Sequence, residues 1–89
     1  MRTTRKITLD YDDANTYIRD CRQVRAHVQR VMAPVDEHVF DGNPSIYADL
    51  ELESVTLYRC LITTTRVTES DPMAEGFSGQ IFLEVVFPG

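Results

Sequence analysis

The feature that most constrains this chain is one amphipathic stripe near its start. Between residues 14 and 32, apolar residues recur at spacings of three and four, which is typical of a helix with one buried face. Asp12 and Asp13 offer N-cap carboxylates, and Pro34 ends the pattern, so we predict a helix over about residues 13–32. The stripe consists of Ala14, Tyr17, Cys21, Val24, Val28 and Val31, widened by Ile18 and Met32.

Four other segments have the pattern of strands. Residues 6–11 and 46–53 alternate polar and apolar side chains, and residues 56–68 and 77–87 are rich in β-formers. The sequence therefore predicts a single α+β domain over residues 1–89. In it, one long amphipathic helix packs on a mostly antiparallel four-stranded sheet, in the order β-α-β-β-β.

The link between the second and third strands contains no Gly, Asn or Pro. A tight hairpin there would pair Leu52 with Leu57, but it would also place Arg59 opposite Leu50 on the inner face. A β-bulge near Ser54, or one long bent strand, would resolve this conflict, and both alternatives stay open.

Composition places the chain among ordinary globular proteins. Of its 89 residues, 43% are hydrophobic and 26% are charged, and no apolar run approaches the roughly 20 residues of a membrane span. The N-terminus shows no signal peptide, so we expect a cytoplasmic protein without membrane contact. Cys21 and Cys60 form no CxxC motif and are expected to be free thiols.

Charge is divided unevenly along the chain. Residues 1–32 carry seven basic residues against four acids, whereas residues 33–89 carry two against ten, for a net charge of −5. Such a division indicates either an electrostatic partner or complementarity within the fold, and the second interpretation is favoured because surface charge is mostly solvated.

The predicted sheet has more apolar surface than one helix can cover. A helix is about 10 Å wide, whereas four strands span nearly 20 Å. We therefore predict a second apolar surface that binds another protein or a second copy, making a homo-oligomer; the alternative is that residues 33–45 and 69–76 cover it. The predicted surface consists of Tyr58, Cys60, Ile62, Phe82 and Val86.

The second strand adds an acidic face that suits a basic target. Tyr47, Asp49, Glu51 and Glu53 alternate with apolar residues and share one side of the strand. The alternative is a solvated strand face whose charges protect a sheet edge.

The sequence offers little support for chemistry. It holds no glycine-rich phosphate loop and no GxSxG or HExxH motif. His38, with its acidic neighbours Asp36, Glu37 and Asp41, matches no metal-ligand spacing, so we expect neither metal nor cofactor. Neither cysteine has an evident base beside it, and we expect no enzymatic activity.

Nucleic-acid binding would depend on the arginines of the outer helix face, Arg19, Arg22 and Arg30. The acidic pI near 4.8 argues against this, and direct nucleic-acid binding is kept as an alternative only.

These observations favour a non-enzymatic protein-binding module that acts by occupying a partner's surface, as an inhibitor or an accessory subunit. In length, charge and class the chain is similar to small phage-encoded inhibitors such as anti-CRISPR proteins. A different hypothesis is a small enzyme or ligand-binding protein with a site at a dimer interface, where His27 or His38 would meet Cys60 or Arg59.

Overall fold

One helix and four strands make up the computed structural model, which describes residues 3–32, 47–71 and 75–88. In chain order the elements are β1 (Thr3–Tyr11), α1 (Ala14–Met32), β2 (Ala48–Glu51), β3 (Thr56–Glu69) and β4 (Gly79–Phe87). The strands pair antiparallel in the spatial order β1-β4-β3-β2. The predicted fold class, a helix packed on a four-stranded antiparallel sheet, is confirmed.

Helix α1 begins with the N-cap that the sequence predicted. Its first backbone bond runs from the Tyr17 N–H to the Asp13 carbonyl, at 3.0 Å. The Asp13 carboxylate accepts hydrogen bonds from the backbone N–H and the hydroxyl of Thr16, at 3.2 and 2.7 Å. These bonds lower the pKa of Asp13, the side-chain bond contributing most. Within the described residues, no helix is both long and apolar enough to cross a membrane.

Strand β4 forms the centre of the core. It pairs with β1 in unbroken register, from Thr3 opposite Phe87 to Tyr11 opposite Gly79. Its odd-numbered side chains face α1 and are fully buried except for the half-buried Phe87, whereas the even-numbered ones lie on the far face. The buried odd-numbered side chains are Ile81, Leu83 and Val85.

An aromatic cluster closes the end of the core nearest the start of α1. The rings of Tyr11 and Tyr17 meet edge-on at 5.5 Å, and those of Tyr17 and Phe77 at 5.3 Å. A Cβ at Gly79 would lie 2.8 Å from the Tyr17 ring, so this position requires glycine.

A β-bulge at Arg59 resolves the conflict in the hairpin of β2 and β3. Leu50 lies opposite Leu57, but Ala48 lies opposite Cys60, so β3 contains one extra residue between these pairs. Arg59 has a positive φ of 47°, and its N–H donates to Asp49 Oδ1 at 2.9 Å. Arg59 therefore does not face the core.

The position of that bulge decides among the alternatives that the sequence left open. The turn is closed by a 2.9 Å bond from the Leu52 N–H to the Val55 carbonyl, so the tight hairpin that would pair Leu52 with Leu57 does not form. The bulge also lies within the ladder instead of near Ser54.

The extra residue exchanges the faces of the residues that follow it. Cys60 and Ile62 point into the core, whereas Leu61 points the other way and lies opposite Val86. The sequence had placed Cys60 and Ile62 on the outer surface, because simple alternation from Leu57 puts them there. A second irregularity lies between Ile62 and Thr64, and beyond it Thr65 pairs with Leu83 of β4.

The sheet face away from α1 is mainly polar, contrary to expectation. Its β1 and β4 positions are mostly charged, amide-bearing or hydroxyl-bearing, with Phe82 and Val86 as half-buried apolar side chains. β3 adds the buried Leu61 opposite Val86. The polar positions are Thr4, Lys6, Thr8, Asp10, Gln80 and Glu84.

Candidate partner-binding site

The hairpin of β2 and β3 lies along one flank of α1. At its tip, the Glu53 N–H donates to the Asp20 carboxylate at 3.1 Å. At its base, the Cys60 carbonyl accepts a hydrogen bond from His27 Nε2 at 3.1 Å. Because the two helix residues are seven positions apart, about 10 Å, the hairpin follows the helix for two turns.

Asp20 is the residue that sequence reasoning missed. It is fully buried, and it also accepts a 2.6 Å hydrogen bond from the Tyr11 hydroxyl. Burial, and then this bond, raise the pKa of Tyr11 above its usual range. The signal was present, since Asp20 follows Tyr17 by three residues and precedes Val24 by four, which places it on the buried stripe.

The other flank of α1 borders an open groove of about 700 Å³, hereafter the α1–β3 groove. Ile18 is 47% exposed and Val67 is 53% exposed, and both line it. Helix and strand side chains form its two walls. The helix wall is Tyr17, Ile18, Cys21, Arg22, Val24, Arg25, Val28 and Gln29, and the strand wall is Thr65, Val67 and Glu69.

The strand wall of the groove is a sheet edge. β2 pairs with β3 only as far as Cys60, and β4 lies on the opposite side of β3. Within the described part of the chain, residues 63–69 therefore have no neighbouring strand on the groove side, and all seven are exposed. Such an edge carries backbone N–H and C=O groups that can pair with an added strand.

The groove has an uncharged floor and a basic rim. Burial raises the pKa of Tyr17 to about 12 and also raises the pKa of Cys21, so both groups are neutral at physiological pH. Arg22 and Arg25 are exposed along the helix wall, and Glu69 lies at one end. The site therefore combines an apolar surface with local positive charge on an acidic protein.

The residues of the predicted apolar surface do not come together. Tyr58 is 68% exposed, whereas Cys60 and Ile62 are buried in the core. Phe82 and Val86 are half-buried on the face away from α1, and the guanidinium of Arg66 lies 5.0 Å from the Phe82 ring.

The acidic face of β2 is partly occupied by contacts within the fold. Asp49 accepts the hydrogen bond from the bulge, and Glu53 pairs with Arg19. Glu51 is exposed, and Tyr47 is half-buried. Asp49 and Glu51 lie on β2, whereas Tyr47 and Glu53 lie just outside it, and the carboxylates of Asp49 and Glu53 already make contacts within the fold.

The arginines of the nucleic-acid alternative have different surroundings. Arg19 contacts Glu53 and lies 3.6 Å from the Asp20 carboxylate. Arg22 lies on the groove rim, and the side chain of Arg30 lies outside the described residues. Arg19 is thus engaged within the fold, whereas Arg22 borders the groove.

His27 and Cys60, two residues of the hypothesis of a site at a dimer interface, lie next to each other within one chain. His27 is buried and bonds to the carbonyl of Cys60, not to its thiol. Burial raises the pKa of that thiol to about 11, which keeps it protonated at neutral pH and makes it a poor nucleophile. Both cysteines are free, as expected.

A smaller pocket of about 280 Å³ lies between α1 and β2, and His27, Asp49 and Glu51 contribute to its lining. Among the described residues, no three His, Cys, Asp or Glu side chains converge as a metal site would require. His38 and its acidic neighbours lie outside the described residues.

Comparison with protein-family models, curated proteins and solved structures finds no match to this chain.

Proposed function

We propose that this chain is a non-enzymatic protein-binding module that occupies part of a partner's surface through the α1–β3 groove. The observation that supports the proposal is the exposure of Ile18 and Val67 in one groove, while the core beside it is closely packed. Exposed apolar residues that share a concave surface mark interaction sites, because covering them removes apolar area from water.

A protein suits this groove better than a small molecule. Small-molecule sites enclose most of their ligand's surface. The α1–β3 groove instead lies open along the helix and ends at the strand edge of residues 63–69. An extended surface of this kind fits a polypeptide, which can use both the groove and the edge.

The finer role rests on sequence. Length and acidity favour an inhibitor of the anti-CRISPR kind or an accessory subunit, acting in the cytoplasm. The acidic face at Glu51 and the exposed Tyr58 could add contacts to a basic partner or to a second copy. Direct nucleic-acid binding and a catalytic site at a dimer interface remain the alternatives.

The test compares variants that introduce lysine at exposed positions on three different surfaces. Ile18→Lys with Val67→Lys alters the groove, Tyr58→Lys alters the surface predicted from sequence, and Thr4→Lys is the exposed control. Each variant is first checked for folding by circular dichroism. A partner captured from the source cells by the wild type is then purified, and its affinity for each variant is measured by calorimetry.

We expect the groove variant to weaken a one-to-one complex by about a hundredfold or more, since two apolar contacts are lost and two charges are introduced. Thr4→Lys should bind as the wild type does. Unchanged affinity of the groove variant would refute the proposed site, and loss with Tyr58→Lys alone would favour the surface predicted from sequence.

A further inference from the structure

We infer that the α1–β3 groove and the edge of β3 together take an extended acidic peptide of a partner protein as an additional strand. This inference rests on the proposed function and deepens it, because it names the chemistry and the conformation of the bound segment.

The edge provides the backbone part of the site. Residues 63–69 are exposed, and within the described chain they have no strand neighbour on the groove side. Seven residues span about 23 Å, enough for a peptide of similar length to pair along them. Main-chain hydrogen bonds would supply affinity without regard to sequence, as in other cases of strand addition.

The faces of β3 decide where the side chains of an added strand would lie. Thr65 and Val67 lie opposite Leu83 and Ile81 and so share the helix side, whereas Arg66 lies opposite Phe82 on the far side. Alternate side chains of an added strand would therefore enter the groove beside Ile18 and Val67. The others would lie next to Arg66, beside a shallow pocket of about 550 Å³.

Charge selects an acidic peptide. Arg22 and Arg25 border the groove on the helix side, and Arg66 borders the edge on the other. Among the described lining residues, Glu69 is the one acidic side chain. The salt bridge between Arg19 and Glu53 lies on the opposite flank and leaves these three arginines unaffected. Apolar side chains alternating with carboxylates would match both the floor and the rim.

A second copy is a poorer occupant of the same edge. Antiparallel pairing of two β3 edges about a two-fold axis would place both helices on one side of the joined sheet. The groove flanks would then face each other, and Arg22 and Arg25 of one copy would approach their equivalents in the other. Like charges brought together in this way disfavour association.

The experiment uses the full chain and three synthetic peptides of about nine residues. One alternates valine or threonine with glutamate, the second replaces each glutamate with lysine, and the third is the acidic peptide with a central proline. Binding is followed by the amide signals of the ¹⁵N-labelled protein and by amide hydrogen exchange. Arg22→Glu with Arg25→Glu is the site variant, and Arg5→Glu, exposed on β1, is the control.

We expect the acidic peptide to slow exchange within residues 63–69 and to bind at least about tenfold more tightly than the lysine and proline peptides. The site variant should lose about tenfold in affinity for the acidic peptide, whereas Arg5→Glu should change it little. Equal affinity for the acidic and the lysine peptides would overturn the inference, and so would binding that leaves amide exchange at residues 63–69 unchanged. So would a dimer that Val67→Lys dissociates, since the occupant would then be a second copy.

Failure here can be separated from failure of the proposed function. If no peptide binds but the groove variant still loses a purified partner, the groove binds protein in another form. If the partner also binds the groove variant as tightly as the wild type, both proposals fail.

Discussion

At the scale of single residues, Asp20 links three parts of the chain. Its carboxylate lies on α1, accepts the hydroxyl of Tyr11 from β1, and accepts the Glu53 N–H from the hairpin tip. All of this occurs at a fully buried position, where a donor without an acceptor costs its full desolvation free energy. Asp20 therefore fixes the helix relative to both the sheet and the hairpin.

Replacing Asp20 tests this role. We expect Asp20→Ala to lower the free energy of unfolding by about 2–3 kcal/mol, because the buried Tyr11 hydroxyl and the partly buried Glu53 N–H lose their acceptor. Tyr11→Phe should cost about 1 kcal/mol, because the bond from Glu53 remains. Urea unfolding followed by circular dichroism measures both, with Asp12→Ala as an exposed acidic control. An Asp20→Ala variant as stable as this control would contradict the role.

The buried thiol of Cys60 predicts sensitivity to alkali. Burial raises its pKa from 9.0 to about 11 in the folded chain. The unfolded chain therefore loses this proton first, so the stabilisation is complete below pH 9 and is lost as the pH rises towards 11. Under reducing conditions, urea unfolding from pH 8 to 11 should show a steeper decline for the wild type than for Cys60→Ala. Parallel declines would contradict the prediction.

At the scale of elements, β3 performs two separate tasks. Its first part pairs with β2 and forms the hairpin, and its second part pairs with β4 and leaves the edge that borders the groove. The bulge at Arg59 separates the two parts and turns Cys60 and Ile62 into the core. The bulge therefore determines which side chains of β3 face the core.

The bulge can be tested by changing Arg59. Its φ of 47° lies in the left-handed region, which costs an L residue about 1–2 kcal/mol and costs glycine little. We expect Arg59→Gly to be neutral or stabilising by up to about 1 kcal/mol, and Arg59→Val to be destabilising by at least that amount, because β-branched residues fit this region poorly. Thermal unfolding compares the two. Equal stability of both variants would show that the bulge does not need this conformation.

At the scale of the whole molecule, the uneven charge of the sequence is only partly balanced in the fold. The pair of Arg19 and Glu53 joins the basic first third of the chain to the acidic remainder. Arg22 and Arg25 instead lie along the α1–β3 groove. The charge division thus serves both internal complementarity and the proposed site.

Self-association stays a prediction at this scale. Light scattering at rising concentration tests it, and Tyr58→Lys should lower the average mass, because Tyr58 is the most exposed large apolar side chain of the described surface. Val67→Lys should leave the mass unchanged, because the arginines that flank its edge disfavour a second copy there. If the wild type keeps the mass of a monomer at every concentration, the homo-oligomer prediction is wrong.

The sequence by itself determined the elements of this protein. The stripe from Ala14 onward and its cap at Asp13 are local patterns, and so is the alternation within each strand, so helix, strands and their order could be read directly. It did not determine which faces and flanks are covered.

The tertiary structure determines which faces of the strands and which flank of α1 are covered. An extra residue at Arg59 reversed the faces of Cys60 and Ile62, and that bulge exists because β2 and β3 pair in one register. The hairpin covers one flank of α1 and buries Asp20, whereas the other flank leaves Ile18 exposed. Register and flank depend on contacts between residues distant in sequence, and local periodicity carries no information about them.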